Sequence, residues 1–205
     1  MNDSATASAP APASASASAA PVPLPVPVPV PLPLPLPELR LLTADDLDAY
    51  KALRDDMLAA HPEAFTSDAA TELARTAQSY WSRLGLDVAD GGQFVLGAWQ
   101  HAALVGALGS DRDNRIKVRH TAQLIGMMVR PALRGTGLGA RLLGACIARL
   151  RATDGIEMLT LTVTQGNRPA IALYERAGFT TCGSQPRAIR VGDRYHAKDQ
   201  MVLAL

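Results

Sequence analysis

The chain has 205 residues, with 20 basic against 19 acidic side chains and a formal charge of +1, so no cationic excess stands ready to neutralise nucleic-acid phosphates. Eleven of its 15 prolines fall in the first 37 residues, where Asp3 is the only charge. The 168 residues that follow carry all nine aromatics and every basic side chain, which suits one globular domain and makes two cramped.

Residues 1–37 begin as an Ala/Ser/Pro mixture and then, from Pro21 to Pro37, alternate proline with Val or Leu. Such a repeat favours polyproline II over packed structure and, at about 3.1 Å per residue, reaches roughly 50 Å. It is expected to be a stiff, disordered leader, the alternative being a docking ligand for an aromatic groove. The segment lacks Lys and Arg, and its alternate prolines forbid the apolar helix of a secretory signal. No apolar run elsewhere reaches the length of a membrane span. Two cysteines, Cys146 and Cys182, match neither a disulfide scaffold nor a metal-ligand spacing. The expectation is a reduced, cytoplasmic setting with neither membrane nor nucleic acid as partner.

Order is expected from Glu38, in a short strand through Leu42, with Thr43 and Asp46 as a capping box for a helix whose face is Leu47, Tyr50, Leu53, Met57 and Leu58. A second helix is predicted from Ser67 to about Leu84, burying Leu73, Ala77, Trp81 and Leu84, and broken by Gly91 and Gly92. Gln93–Trp99 and Ala103–Gly109 read as a hairpin turning at Gln100 and His101, followed by a longer strand from about Lys117 to Val129. A helix from about Leu138 to Ala152, a strand from Glu157 to Thr164 and a helix from Arg168 to Ala177 come next. Two last strands flank Gly192-Asp193. The order β-α-α-β-β-β-α-β-α-β-β combines hairpins with one βαβ crossover, so the fold class is α/β (α+β) with a mixed sheet.

The densest chemical signal is Arg134-Gly135-Thr136-Gly137-Leu138-Gly139-Ala140, between a strand and an amphipathic helix. Glycines allow the backbone to approach a ligand, and N–H groups at a helix N-terminus attract phosphate oxygens. Arg134 and Arg141 can add full charges. A nucleotide P-loop is excluded because no lysine lies near the loop. Gly135, Gly137 and Ala140 satisfy the G-x-G-x-x-A spacing of a dinucleotide fold, but the next strand ends in Thr164-Gln165-Gly166-Asn167, without the acid that would hold a ribose. Arg130 to Leu133 also intervene before the loop. A dinucleotide-dependent oxidoreductase is therefore a minor alternative.

Arg134, Gly137 and Gly139 fit the acetyl-CoA loop Gln/Arg-x-x-Gly-x-Gly/Ala, and with it the chain resembles the GCN5-related N-acetyltransferase (GNAT) superfamily. Gly126 to Pro131 resembles the strand end before that loop, and Asn167 to Ala170 with Leu173 to Phe179 resembles the second family signature. The resemblance covers about Leu39 to Leu205 and implies a centrally splayed sheet. It implies that the pantetheine arm pairs with main chain at Met128 and Val129, that an N–H near Val129 stabilises the oxyanion, and that Tyr174 protonates the departing thiolate. The loop Arg134, Gly135, Thr136, Gly137, Leu138, Gly139 and Ala140 would bind the cofactor, with Asn167 either capping its helix, contacting CoA, or both. Asn167 and Tyr174, seven residues apart, share nearly one helical face.

Several members use a glutamate on the strand before the loop, where this chain has Gln123, and an amide accepts no proton. His120 reads as structural. His196, Tyr195, Asp199 and Glu72 are candidates to border an acceptor pocket, and no base is assigned. The activity implied is acetyl transfer from acetyl-CoA to a primary amine by direct attack in a ternary complex, without an acyl-cysteine and without a metal. A non-catalytic acyl-CoA binding module, which would not need Tyr174, is the rival. The acceptor, and the choice between monomer and homodimer, are left open.

Overall fold

A computed structural model describes residues 36–87 and 91–205. The leader expected at 1–37 lies outside these residues except for Leu36 and Pro37, of which Pro37 is buried. Seven strands form one sheet in the order β1-β2-β3-β4-β5-β7-β6. They are β1 (Glu38–Leu41), β2 (Phe94–Gln100), β3 (Ala103–Arg112), β4 (Thr121–Val129), β5 (Met158–Thr164), β6 (Thr180–Val191) and β7 (Arg194–Ala204). All neighbours are antiparallel except β4 and β5, which are joined by a crossover through helix α3 (Leu138–Arg151). The chain order is the expected one, with α1 (Leu47–Ala60), α2 (Ala69–Leu73) and α4 (Arg168–Arg176) completing it.

Alternation along the strands gives the sheet two apolar faces. Phe94, Leu96 and Ala98 of β2 point to a core with Leu142, Leu143, Cys146, Ile147 and Leu150 of α3. Val95 points the other way, to Tyr50, Leu53 and Met57 of α1. The Thr43 capping box forms as expected: the Thr43 N–H donates to Asp46 Oδ2 at 2.8 Å, and one 3-10 turn (Ala44–Asp46) leads into α1.

Three expectations are corrected. The helix from Ser67 to Leu84 breaks into α2 and two 3-10 turns (Ala77–Tyr80 and Ser82–Leu84), and two members of its expected stripe, Leu73 and Trp81, are exposed. Leu84 is buried as expected and Ala77 partly so, and Glu72 and Tyr80 are buried in place of the other two. Arg54 of α1 donates to Glu72 Oε2 at 3.0 Å, Tyr80 donates to the same oxygen at 2.7 Å, and Arg75 donates to Oε1 at 3.0 Å. This clamp, together with Tyr80 and Leu84 packed in the α1 core, fixes the segment. The strand expected from Lys117 begins only at Thr121, because Ile116 to His120 turn; the His120 carbonyl accepts from the N–H groups of Glu157 and Met158. The β2–β3 turn is His101-Ala102, since Gln100 already pairs with Ala103.

Candidate functional site: the open seam between two strands

The parallel ladder between β4 and β5 lasts only from Thr121/Met158 to Gln123/Thr160. Beyond it the strands have no ladder pairing. The cause is visible in β4: between the pairs Gly109–Ile125 and Ala107–Met128, β4 uses one more residue than β3, a β-bulge, and Gly126 there has φ +60°. The extra residue reverses the facing of the strand. Ala122 and Leu124 before it point to the α3 core, as do Met127 and Val129 after it, while Met128 is turned to the α1 core. A cavity of about 890 Å³ lies at the opened end, lined from both faces of the sheet.

From the α3 side the wall is the glycine loop. Pro131–Leu133 forms a 3-10 turn, so the loop does not follow its strand directly, as a dinucleotide fold requires. Gly135 (φ +76°) and Gly137 (φ +86°) are left-handed, and a Cβ at either would meet no atom within 4 Å. Bare backbone therefore faces open space. Gly137 caps α3, with the first helical bond running from the Arg141 N–H to its carbonyl; the N–H groups of Leu138, Gly139 and Ala140 belong to the first turn, where intrahelical partners are lacking. The Arg134 guanidinium is held by the Val129 carbonyl through Nε at 3.3 Å and by His61 Nε2 at 2.8 Å from Nη2. An anionic, phosphate-bearing ligand fits this cradle.

Of the residues expected in the site, Met128, Val129, Arg134, Gly135, Gly137, Gly139, Ala140 and Asn167 line the cavity. Thr136 does not, its hydroxyl being spent on the Leu133 carbonyl at 2.7 Å, and Leu138 is buried in the core. Asn167 caps α4, its Oδ1 accepting from the Ala170 N–H at 3.3 Å. Tyr174 is not on the wall. It is 7% exposed, stacks edge-on against Phe179 with ring centroids 6.0 Å apart, and its hydroxyl makes no hydrogen bond with a described residue. Burial pushes its pKa up to about 12.

Among the candidates for an acceptor border, only His196 lines the cavity. Glu72 is locked in its clamp, Tyr195 is exposed and makes cation-π contacts with Arg187 and Arg190 outside the cavity, and Asp199 accepts from Gln165 at 2.7 Å. The sequence reading missed the wall on the α1 side, contributed by Met57, His61, Glu63 and Phe65. The Glu63 carbonyl accepts from the Thr164 hydroxyl at 2.8 Å, pinning the segment after α1 to the end of β5. The one available signal was Pro62 beside the helix C-cap His61, which marks a stop but no chemistry. Among the described residues, no group of His, Cys, Asp and Glu is placed to hold a metal, and no helix is long and apolar enough to cross a membrane.

The profile of the acetyltransferase (GNAT) family matches residues 50–179, and the chain belongs to that family. A mycothiol acetyltransferase from Nocardioides sp. is 34% identical over 149 residues, covering 69% of this chain and 49% of that relative; the chain thus spans about half the length of this curated relative. An acetyltransferase of the GNAT family from Streptococcus pneumoniae superposes with a TM-score of 0.74 at 24% identity, over 82% of this chain and 98% of the other. YncA from Salmonella typhimurium, a structure with its cofactor acetyl-CoA, superposes with a TM-score of 0.66 at 21% identity, over 82% and 94%. At these identities the two structures establish the fold, a seven-stranded sheet splayed at β4 and β5.

Proposed function

We propose that the chain moves an acetyl group from acetyl-CoA to a primary amine by direct attack of the amine on the thioester, with both substrates bound. The observation that carries this reading is that one cavity joins three things: the glycine loop at the start of α3, the unpaired ends of β4 and β5, and a wall on the opposite face of the sheet. In this reading the first-turn N–H groups of α3 and the Arg134 guanidinium bind the pyrophosphate. The β4 main chain at Met128 and Val129 takes the pantetheine arm as it would an added strand. An N–H near Val129 stabilises negative charge on the thioester oxygen, and Asn167 combines its capping bond with a contact to the arm.

Tyr174, although outside the cavity wall, is the donor this reading assigns to the departing thiolate, and the proton shed by the attacking nitrogen leaves to water. With its pKa raised to about 12 it stays protonated across the neutral range, and its hydroxyl hydrogen is committed to no described acceptor. Neither cysteine serves as an acyl carrier: Cys146 is buried, with its thiol pushed up to about 12, and Cys182 lies in β6, outside the cavity wall. Both are free, in keeping with a reduced, cytoplasmic setting.

The test is thiol release from acetyl-CoA by the full chain, with amino acids, amino sugars and arylalkyl amines as acceptors. Amine-dependent CoA release is expected. Tight acetyl-CoA binding with no release for any amine would favour a non-catalytic binding module, and NADH binding without acetyl-CoA binding would overturn the reading.

A further inference from the structure

We infer that Glu63 is a specificity-determining residue of the acceptor pocket, that it receives the acceptor as its ammonium, which then loses a proton to water before the neutral amine attacks, and that the acceptor is a primary amine carrying an apolar arm. The inference rests on the acetyltransferase reading and adds the side of the cavity that the family motifs do not reach. The glycine loop, α4 and their core occupy one face of the sheet, and α1 occupies the other. A cosubstrate seated on the loop leaves the α1 side of the opening for the second substrate, and that side is the segment following α1.

Glu63 is the sole carboxylate among the described residues lining the cavity. Its main chain is fixed by the bond from Thr164. Its carboxylate accepts no hydrogen bond from a described residue; the nearest partner is His61, with Nδ1 at 3.8 Å from Oε1. Because His61 Nε2 accepts from Arg134, the ring proton belongs on Nδ1, on the Glu63 side. At 3.8 Å that N–H lies beyond hydrogen-bond distance, so the half-exposed carboxylate keeps its lone pairs for an incoming cation. Met57, Phe65 and Met127 provide apolar wall around it, a surface that suits a hydrocarbon arm and penalises a second unpaired charge.

The experiment is a binding titration of the full chain in saturating CoA with 2-phenylethylamine and with its neutral counterpart 2-phenylethanol. The wild type is expected to prefer the amine by at least about tenfold, the scale of one charge-assisted hydrogen bond. Glu63→Gln should abolish that preference while leaving CoA affinity and thermal stability unchanged, and Glu63→Asp should restore part of it. Phe65→Ala should weaken amine and alcohol alike. A wild type without the preference, or a Glu63→Gln variant that keeps it, overturns the assignment while the acetyltransferase reading stands. Failure of the wild type to bind CoA at all overturns both.

Discussion

At the scale of single residues, Tyr174 separates chemistry from packing. Its ring is fixed by the core and by Phe179, whereas its hydroxyl contributes no hydrogen bond to the fold. Tyr174→Phe should therefore melt within about 0.5 kcal/mol of the wild type, since it removes no hydrogen bond made with a described residue. Turnover should fall at least about tenfold with little change in the Michaelis constant for acetyl-CoA, the pattern of an interaction made mainly in the transition state. Single-turnover kinetics check this; an unchanged rate would reduce Tyr174 to a packing residue. The glycine loop was legible in the sequence because left-handed positions such as Gly135 and Gly137 leave a mark on composition. Glu63 was not legible, because a lone acid after a helix stop has neither motif nor period, and only the fold brings it to the end of β5.

At the scale of elements, the buried clamp around Glu72 replaces the apolar helix that periodicity suggested. Leu73, Ala77, Trp81 and Leu84 fall at helical spacing, but a buried ion pair one residue out of step outweighs them, and hydrophobic periodicity cannot register it. Burial alone would raise the Glu72 pKa. Hydrogen bonds from Tyr80 and Arg54, with the Arg54 charge, outweigh burial and hold it at about 2. Asp46, bonded by Arg40 and Thr43, is likewise held at about 2. A carboxylate whose folded pKa is depressed stabilises the fold fully above its unfolded pKa and ceases to do so as pH falls through the folded value. Stability should accordingly decline between about pH 4.5 and about pH 2, measured by chemical denaturation at stepped pH. Glu72→Gln leaves the Arg54 cation buried without its counter-charge, should cost on the order of 3–5 kcal/mol near neutrality, and should flatten that decline.

At the scale of the whole molecule, the element order and the crossover through α3 followed from pattern and connection rules, because long amphipathic helices and β-branched strands announce themselves. The splay of the sheet did not; the sequence carried it only as an implication of family resemblance, since one glycine bulge in β4 is not distinguishable from an ordinary strand glycine. The described sheet begins at Glu38, and Pro37 just before it is buried, so a fragment from Leu36 to Leu205 is the suitable cut. It should melt cooperatively and bind acetyl-CoA as the full chain does, in thermal melts and calorimetric titration. Loss of the cooperative transition would make the leader part of the fold.

The short ladder between β4 and β5 also has a mechanical consequence. Only three residue pairs join β4 to β5 in the ladder, so along the rest of the seam β1 to β4 and β5 to β7 are held together by the shared core beneath α3 and α4. A ligand lying in the seam acts as a clasp, closing it and lending its binding energy to the fold by mass action. Those amides of β4 from Leu124 to Val129 that are not bonded to β3 should exchange hydrogen fast in the free protein and slowly with acetyl-CoA, while those bonded to β3 stay slow in both. Occupancy of the site would then be read along one edge of a single strand, with its phase broken at the Gly126 bulge.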